Sequence, residues 1–299
     1  MKRNSVNEEN VELEENNEMK IAYGTYAMPM LSLEEAILAL AEMGYEGVEI
    51  CISPRHQGSM PDEISGSRRN ELETLLNDHG LVIPALMMVG QAVLAEDDAE
   101  HLGALEHMRH VCQLARDLGM RHPPVLAIGI GGRTEDWDEK KGRIVERLRD
   151  YADLAEREDF ILAGEAHCGA AVDRSERVVW LFDTVNHPRI RFHFDIVHMF
   201  LAGEEIEDSV KTLVPYTAHT HITDARKHAD GSFDLVLLGQ GDLDSTRYVK
   251  AMSEAGWTDF ITLEVSMRVW SKPDYDPYEA ARFSYRSLLG AFHNAGAVS

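Results

Sequence analysis

The chain has 299 residues, 44% of them apolar and 27% charged, with 52 acidic against 29 basic side chains and a formal net charge of −23. That balance supports a sizeable core, and no stretch approaches the ~18 consecutive apolar residues of a membrane span. A surface this acidic repels phosphate backbones and excludes nucleic acid as a partner, while a small neutral molecule suits it. Three cysteines, Cys51, Cys112 and Cys168, without metal spacing, and no apolar leader segment predict a reduced, cytoplasmic protein.

Residues 1–18 are Asn- and Glu-rich and predict a disordered acidic tail, with one domain following over 19–299. A strand is expected from Ile21 (IAYGTYAM). Ser32-Leu-Glu-Glu35 then reads as a capping box opening a helix that Gly44 stops. Strand-like apolar runs recur from Gly47 (GVEICI), Leu81 (LVIPALMMV), Pro124 (PVLAIGI), Phe160 (FILAGEA), Arg191 (RFHFDIV), Thr217 (TAHTHIT) and Phe260 (FITLEVS). Helical spacing fills the intervals near 66–79, 98–119, 138–158, 174–186, 204–213, 244–256 and 277–295. Eight strands alternating with eight helices predict parallel βαβ units. Without a glycine-rich phosphate fingerprint after the first strand, they close into a single (β/α)8 TIM barrel.

Catalytic side chains of such barrels come from the C-terminal ends of the strands. The last four strands each carry a polar residue late in an apolar run: Glu165, Asp195, His221 and Glu264. Burying any one without a partner is costly, and three carboxylates at one mouth repel one another unless a cation sits between them. An oxygen-rich set with one imidazole suits Mn2+, with Mg2+ or Co2+ as alternatives, and excludes thiolate-type zinc sites. Each residue alone has a plainer reading: a salt-bridging Glu, a helix-capping Asp, a satisfied core His. Their recurrence on four successive strands favours the metal.

Three further segments carry a resemblance: Asp195-Ile-Val-His198, His219-Thr-His221-Ile-Thr-Asp224 and Leu238-Gly-Gln-Gly-Asp-Leu-Asp244. They look like the D-x-x-H, H-x-H-x-x-D and G-x-G turn of the xylose-isomerase-like TIM-barrel superfamily of sugar isomerases and epimerases. That group also holds hydroxypyruvate isomerase, ketohexose 3-epimerases, inosose dehydratase and endonuclease IV. The resemblance covers residues about 20–295. It implies that the four residues are metal ligands, that Glu165 and Glu264 serve as bases, and that His198 and Arg226 lie near substrate oxygens. It also matches His167, in Glu-x-His, to a position often polar in the family. The implied activity is isomerisation or epimerisation of a keto-sugar or related polyol, by proton abstraction next to a carbonyl polarised by the metal.

The same first step serves a lyase, such as an inosose dehydratase or a 3-oxo-glycoside-cleaving enzyme. The sequence departs from the ketohexose epimerases at Ala171, where those carry a second glutamate, and this leans towards elimination. A non-catalytic sugar-binding or partner subunit would keep the barrel without needing the ligands. An endonuclease IV-like activity lacks its extra histidines here.

Smaller expectations complete the reading. Tyr26 lines the pocket or packs in the core, and Trp270, in SMRVWSKPDYDPYE, stacks on a sugar or forms the contact of a homo-oligomer. For Glu49, a mouth-facing role and a salt bridge stand level. His219 is a structural hydrogen-bonding residue one layer deeper, Cys168 is inert, and His101, His107 and His110 lie on a surface helix face.

Overall fold

The computed structural model describes residues 18–95 and 97–297. The tail expected over 1–18 lies, except for Glu18, outside the described residues. Eight parallel strands close into a barrel: β1 (Lys20–Gly24), β2 (Gly47–Ile52), β3 (Leu86–Ala92), β4 (Val125–Gly129), β5 (Ile161–Glu165), β6 (Ile190–Asp195), β7 (Thr217–Ile222) and β10 (Phe260–Leu263). The label β10 counts an antiparallel hairpin, β8 (Asp224–Lys227) and β9 (Phe233–Val236), which projects from the mouth after β7. Pairing of β1 with β10 completes the ring, with Ala22 opposite Thr262. The chain is therefore a (β/α)8 barrel, as its alternation predicts.

The outer layer contains α1 (Leu33–Met43), α2 (Gly66–Asp78), α3 (Asp98–Asp117), α4 (Trp137–Glu158), α5 (Ser175–Val185), α7 (Ile206–Leu213), α8 (Ser245–Glu254) and α10 (Pro277–Ala295). Two short helices, α6 (Ile196–Leu201) and α9 (Met267–Trp270), sit at the mouth. The capping box at Ser32 forms as read, its hydroxyl accepting from the Glu35 amide, and Gly44 takes the left-handed φ of 95° that a side chain would strain. Strand β3 begins at Leu86 rather than Leu81, because Pro84 has no N–H to give a ladder and Val82 forms only a lone bridge to Gly47.

Alternation along the strands separates two cores. Outward residues such as Val48, Leu126, Phe192, Phe194 and Leu263 pack under the helices. Inside, the β2–β5 side is filled by small or slender groups, among them Cys51, Met87, Val125, Ala127 and Ala163. The opposite side of the interior is polar: His193, Asp195, His219, His221 and Thr262 are all at most 2% exposed. That polar half marks where the barrel gave up apolar packing. His101, expected on a surface face, is instead buried and bonds Asp150 of α4 at 2.9 Å. It shares the helix stripe of Ala104, Met108 and Val111, which faces the core.

Candidate metal centre

Glu165 ends β5, Asp195 ends β6, His221 lies one residue before the end of β7, and Glu264 follows β10. Strand register aligns them: Asp195 sits opposite His221, and His221 opposite Thr262, two residues before Glu264. One donor atom from each of the four lies within 4.8 Å of the others. The His221 Nδ1 is 3.1 Å from Glu264 Oε2 and 3.9 Å from Glu165 Oε1. Asp195 performs the plain role as well, its Oδ1 accepting from the Val197 amide at the start of α6.

The electrostatics are those of a crowded anionic site. Burial and then the charge of Glu264 push the Glu165 carboxyl well above its ordinary range. The same two causes raise Asp195 to about 6. Burial works against a charged His221, but Glu49 and Glu264 outweigh it and hold the imidazole's affinity for a proton well above normal. Two buried oxygens, Glu165 Oε1 and Asp195 Oδ2, have no hydrogen-bond partner among the described residues. Groups desolvated in this way normally have partners. Three carboxylates, two of them with an orphaned oxygen, and one imidazole within one small volume fit a divalent cation.

Glu49 resolves in favour of a salt bridge, with a directed consequence. It is fully buried on β2, and its Oε2 accepts from His219 Nε2 at 2.7 Å and His221 Nε2 at 2.9 Å. Burial alone would raise its carboxyl, yet the two histidines hold it at about 2. With Nε2 committed to Glu49, the lone pair left to His221 is on Nδ1, which faces the other three donors. A carboxylate behind a ligating histidine fixes both tautomer and ring direction. Gly24 opposite makes room, since a Cβ there would stand 2.9 Å from Glu49 Oε1. His219 is the structural hydrogen-bonding residue expected from its depth.

His193, which the reading of the sequence gave no role, packs its ring 4.1 Å from that of His221. Burial and the His221 charge keep it neutral, and neither ring nitrogen finds a hydrogen-bond partner among the described residues, Nδ1 standing 3.9 Å from Glu165 Oε2. Its signal was parity: it shares the inward face with Asp195.

Around the four, the structure brings some expected residues and leaves one out. His167 Nε2 is 3.2 Å from Glu165 Oε2, and its ring lies 4.4 Å from that of His198. His198 Nε2 is 3.9 Å from Asp195 Oδ2, and burial and the neighbouring His167 drive its protonation well below normal. Tyr26 lies close enough that, after burial, the charges of Glu264 and then Cys51 and Glu165 raise its phenol. Trp270 meets Tyr26 edge-on at 5.4 Å. Arg226 is exposed on β8, where the hairpin has left the barrel wall, and its guanidinium donates to the Gln240 carbonyl. None of its described contacts reaches the four donors.

The motif around Asp224 proves architectural. Its buried carboxylate accepts from the amides of Ala225 (2.7 Å), Gly239 (2.9 Å), Gly241 (2.8 Å) and Leu243 (3.1 Å). A Cβ at Gly241 would collide with that carboxylate and with the Ala225 carbonyl, which explains the glycine. Cys168 is half-buried with its thiol raised by burial and Asp173.

Comparison with known proteins agrees with this architecture. A family model described as xylose isomerase-like TIM barrel matches residues 37–287. The L-ribulose-5-phosphate 3-epimerase UlaE of Salmonella heidelberg (strain SL476) is 21% identical over 239 residues, covering 79% of this chain and 81% of the relative. A solved structure of IOLI protein with a binding zinc atom superposes with a TM-score of 0.76 at 20% identity, covering 91% of this chain and 98% of that one. D-psicose 3-epimerase in the presence of D-fructose gives 0.73 at 15% identity, covering 93% and 100%. The 3-keto-D-glucoside 4-epimerase YcjR of E. coli gives 0.72 at 14%, covering 91% and 99%.

Proposed function

The chain belongs to the xylose isomerase-like TIM barrel family, and from that membership and its donor set we propose that it is a divalent-metal-dependent isomerase or epimerase of a keto-sugar or related polyol. The observation that carries this reading is the convergence of Glu165, Asp195, His221 and Glu264 within 4.8 Å, with two buried carboxylate oxygens that have no hydrogen-bond partner among the described residues. A cation held there supplies Lewis-acid polarisation of a substrate carbonyl, and Mn2+ suits the oxygen-rich set, with Mg2+ and Co2+ as alternatives.

The chain's own residues do the rest. Glu264, the most open of the four with a side chain 16% exposed, removes the proton from the carbon beside the carbonyl. Glu165 approaches from β5, across β6 and β7 in the barrel wall, and returns a proton to the same carbon in epimerisation or to its neighbour in isomerisation. His198, kept neutral by burial, and the part-exposed His167 offer hydrogen bonds to the substrate hydroxyls from beside Glu165. Asp195 and His221 act chiefly as ligands. Relatives covering 79% and 93% of this chain are described as epimerases, which supports the direction of the assignment.

Elimination is the second reading, favoured by Ala171. It is fully buried at the position where ketohexose epimerases carry a second glutamate. A solved structure of the probable 3-DHS dehydratase AsbF from Bacillus anthracis shares the fold at a TM-score of 0.73. Product mass separates the outcomes, being conserved by an isomerase and reduced by a lyase. The test of the shared first step is solvent deuterium exchange at the carbon beside the carbonyl across a panel of ketoses. Glu264→Gln should abolish it, and undiminished exchange would refute the role of Glu264 as base.

A further inference from the structure

Next to the four donors, on the β1–β3 side of the mouth, lies a cavity of about 500 Å³ to which none of the donors contributes a wall. Tyr26 is the side chain common to both places, lining the cavity while carrying the influence of Glu264 and Glu165. Its ring stacks on His56 at 5.8 Å and 21°, and Trp270 closes edge-on against both. Ile52, Met60 and Met267 make much of the remaining wall apolar.

This space is larger than the simplest substrates need. Even at the loose ~30 Å³ of a liquid water per heavy atom, the twelve or so atoms of a hexose occupy only about 360 Å³. A free ketose with its carbonyl over the donors therefore leaves the cavity beyond Tyr26 unfilled. The charge disfavours a phosphate there, Ser53, His56, Gln91 and His107 being further polar side chains of the wall. Arg55 is the only permanently charged side chain among the described lining residues. It is exposed at the rim beside Met267, while the nearest buried charges are carboxylates. A dianion needs several converging donors, and aromatic walls instead seat the face of an uncharged ring.

Resting on the metal-centred reading above, we propose that the substrate is a two-ring glycoside. Its oxidised sugar ring lies over the four donors, and an uncharged second ring fills the cavity whose wall Tyr26, His56 and Trp270 form together. The second ring contributes binding energy remote from the reacting carbon, and this wall sets specificity against free and phosphorylated ketoses.

Calorimetric titration of the Mn2+-loaded protein with phenyl β-D-glucopyranoside, methyl β-D-glucopyranoside and glucose 6-phosphate tests this. The phenyl glycoside should bind about tenfold or more tighter than the methyl one, and glucose 6-phosphate no tighter than the methyl glycoside. Trp270→Ala should remove the phenyl preference. Met60→Trp, which fills the cavity instead of emptying it, should do the same and serves if the first variant fails to fold. Equal binding of the two glycosides, no measurable binding of either, tightest binding of the phosphate, or a preference that survives in both variants would overturn the proposal while leaving the metal reading standing. A protein that takes up no Mn2+ would overturn both.

Discussion

Replacing Glu49 by Gln changes one atom in a group that touches no substrate, and it should weaken the metal centre. Glu49 Oε2 accepts two N–H bonds, from His219 Nε2 at 2.7 Å and His221 Nε2 at 2.9 Å. A carboxamide has one acceptor oxygen and one donor NH2: with the oxygen in the place of Oε2 both imidazoles keep their acceptor but the NH2 stands 3.1 Å from His221 Nε2, and turned over the NH2 stands against both. If the NH2 faces His221, that ring must carry its proton on Nδ1, the atom directed at Glu264, Glu165 and Asp195. If it faces His219, the second histidine must switch tautomer in a fully buried position. Substitutions behind a ligating histidine typically cost 10- to 100-fold in metal affinity, which is about 1.4–2.7 kcal/mol. Competition of Mn2+ between the protein and a calibrated chelator measures this directly, and metal-free thermal unfolding controls for a general loss of fold. An affinity within twofold of the parent would show that the Glu49–His221 pair does not orient the ligand, and the account of Glu49 would fail.

Other expectations concern the same centre and its frame. In metal-free protein, Asp195 is raised to about 6 and Glu165 is raised well above normal, so the folded chain holds protons that the unfolded chain has released. His221 is raised too, and its stabilising charge is present below the unfolded pKa of about 6.5 and lost as pH climbs through the folded value. All three make metal-free stability fall as pH rises, so the gain in Tm on adding Mn2+ should grow from pH 5 to pH 8; a constant or shrinking gain would refute this. Asp224→Ala should destabilise by about 2–4 kcal/mol, because it strands the amides of Ala225, Gly239, Gly241 and Leu243. Calorimetry should then show a Tm roughly 3–6 °C lower, and a change under 1 °C would contradict the structural role given to that motif.

Much of the architecture could be read in the sequence, because each barrel strand is an apolar run bounded by helix caps and glycines. What escaped were elements whose stability comes from tertiary contacts. The hairpin β8–β9 is built from DARK and FDLV, which carry no clean alternation, and it is held by the Asp224 carboxylate rather than by its own pattern. Helix α6 is only six residues long and starts from the capping oxygen of a proposed ligand. His101 was open to a better reading, since its stripe with Ala104, Met108 and Val111 recurs at core spacing. The four donors stood out because each interrupts an apolar strand near its end. Glu49 interrupts one too, but its partners lie 170 and 172 residues away across the barrel, and only closure shows that it serves His219 and His221. Arg226 was placed by resemblance along the sequence, and the outward turn of the hairpin carries it off to the Gln240 carbonyl.

The central claim is that Glu165, Asp195, His221 and Glu264 hold one divalent cation, and metal analysis of the purified chain beside its Asp195→Asn variant tests it most directly. The amide keeps an oxygen able to cap α6 while removing one of the three anionic donors. The account predicts one equivalent of a divalent cation per chain in the parent, removable by chelation and restored by Mn2+, and a large loss in the variant. A parent that retains and takes up no cation, or a variant that binds it as tightly as the parent, would contradict it.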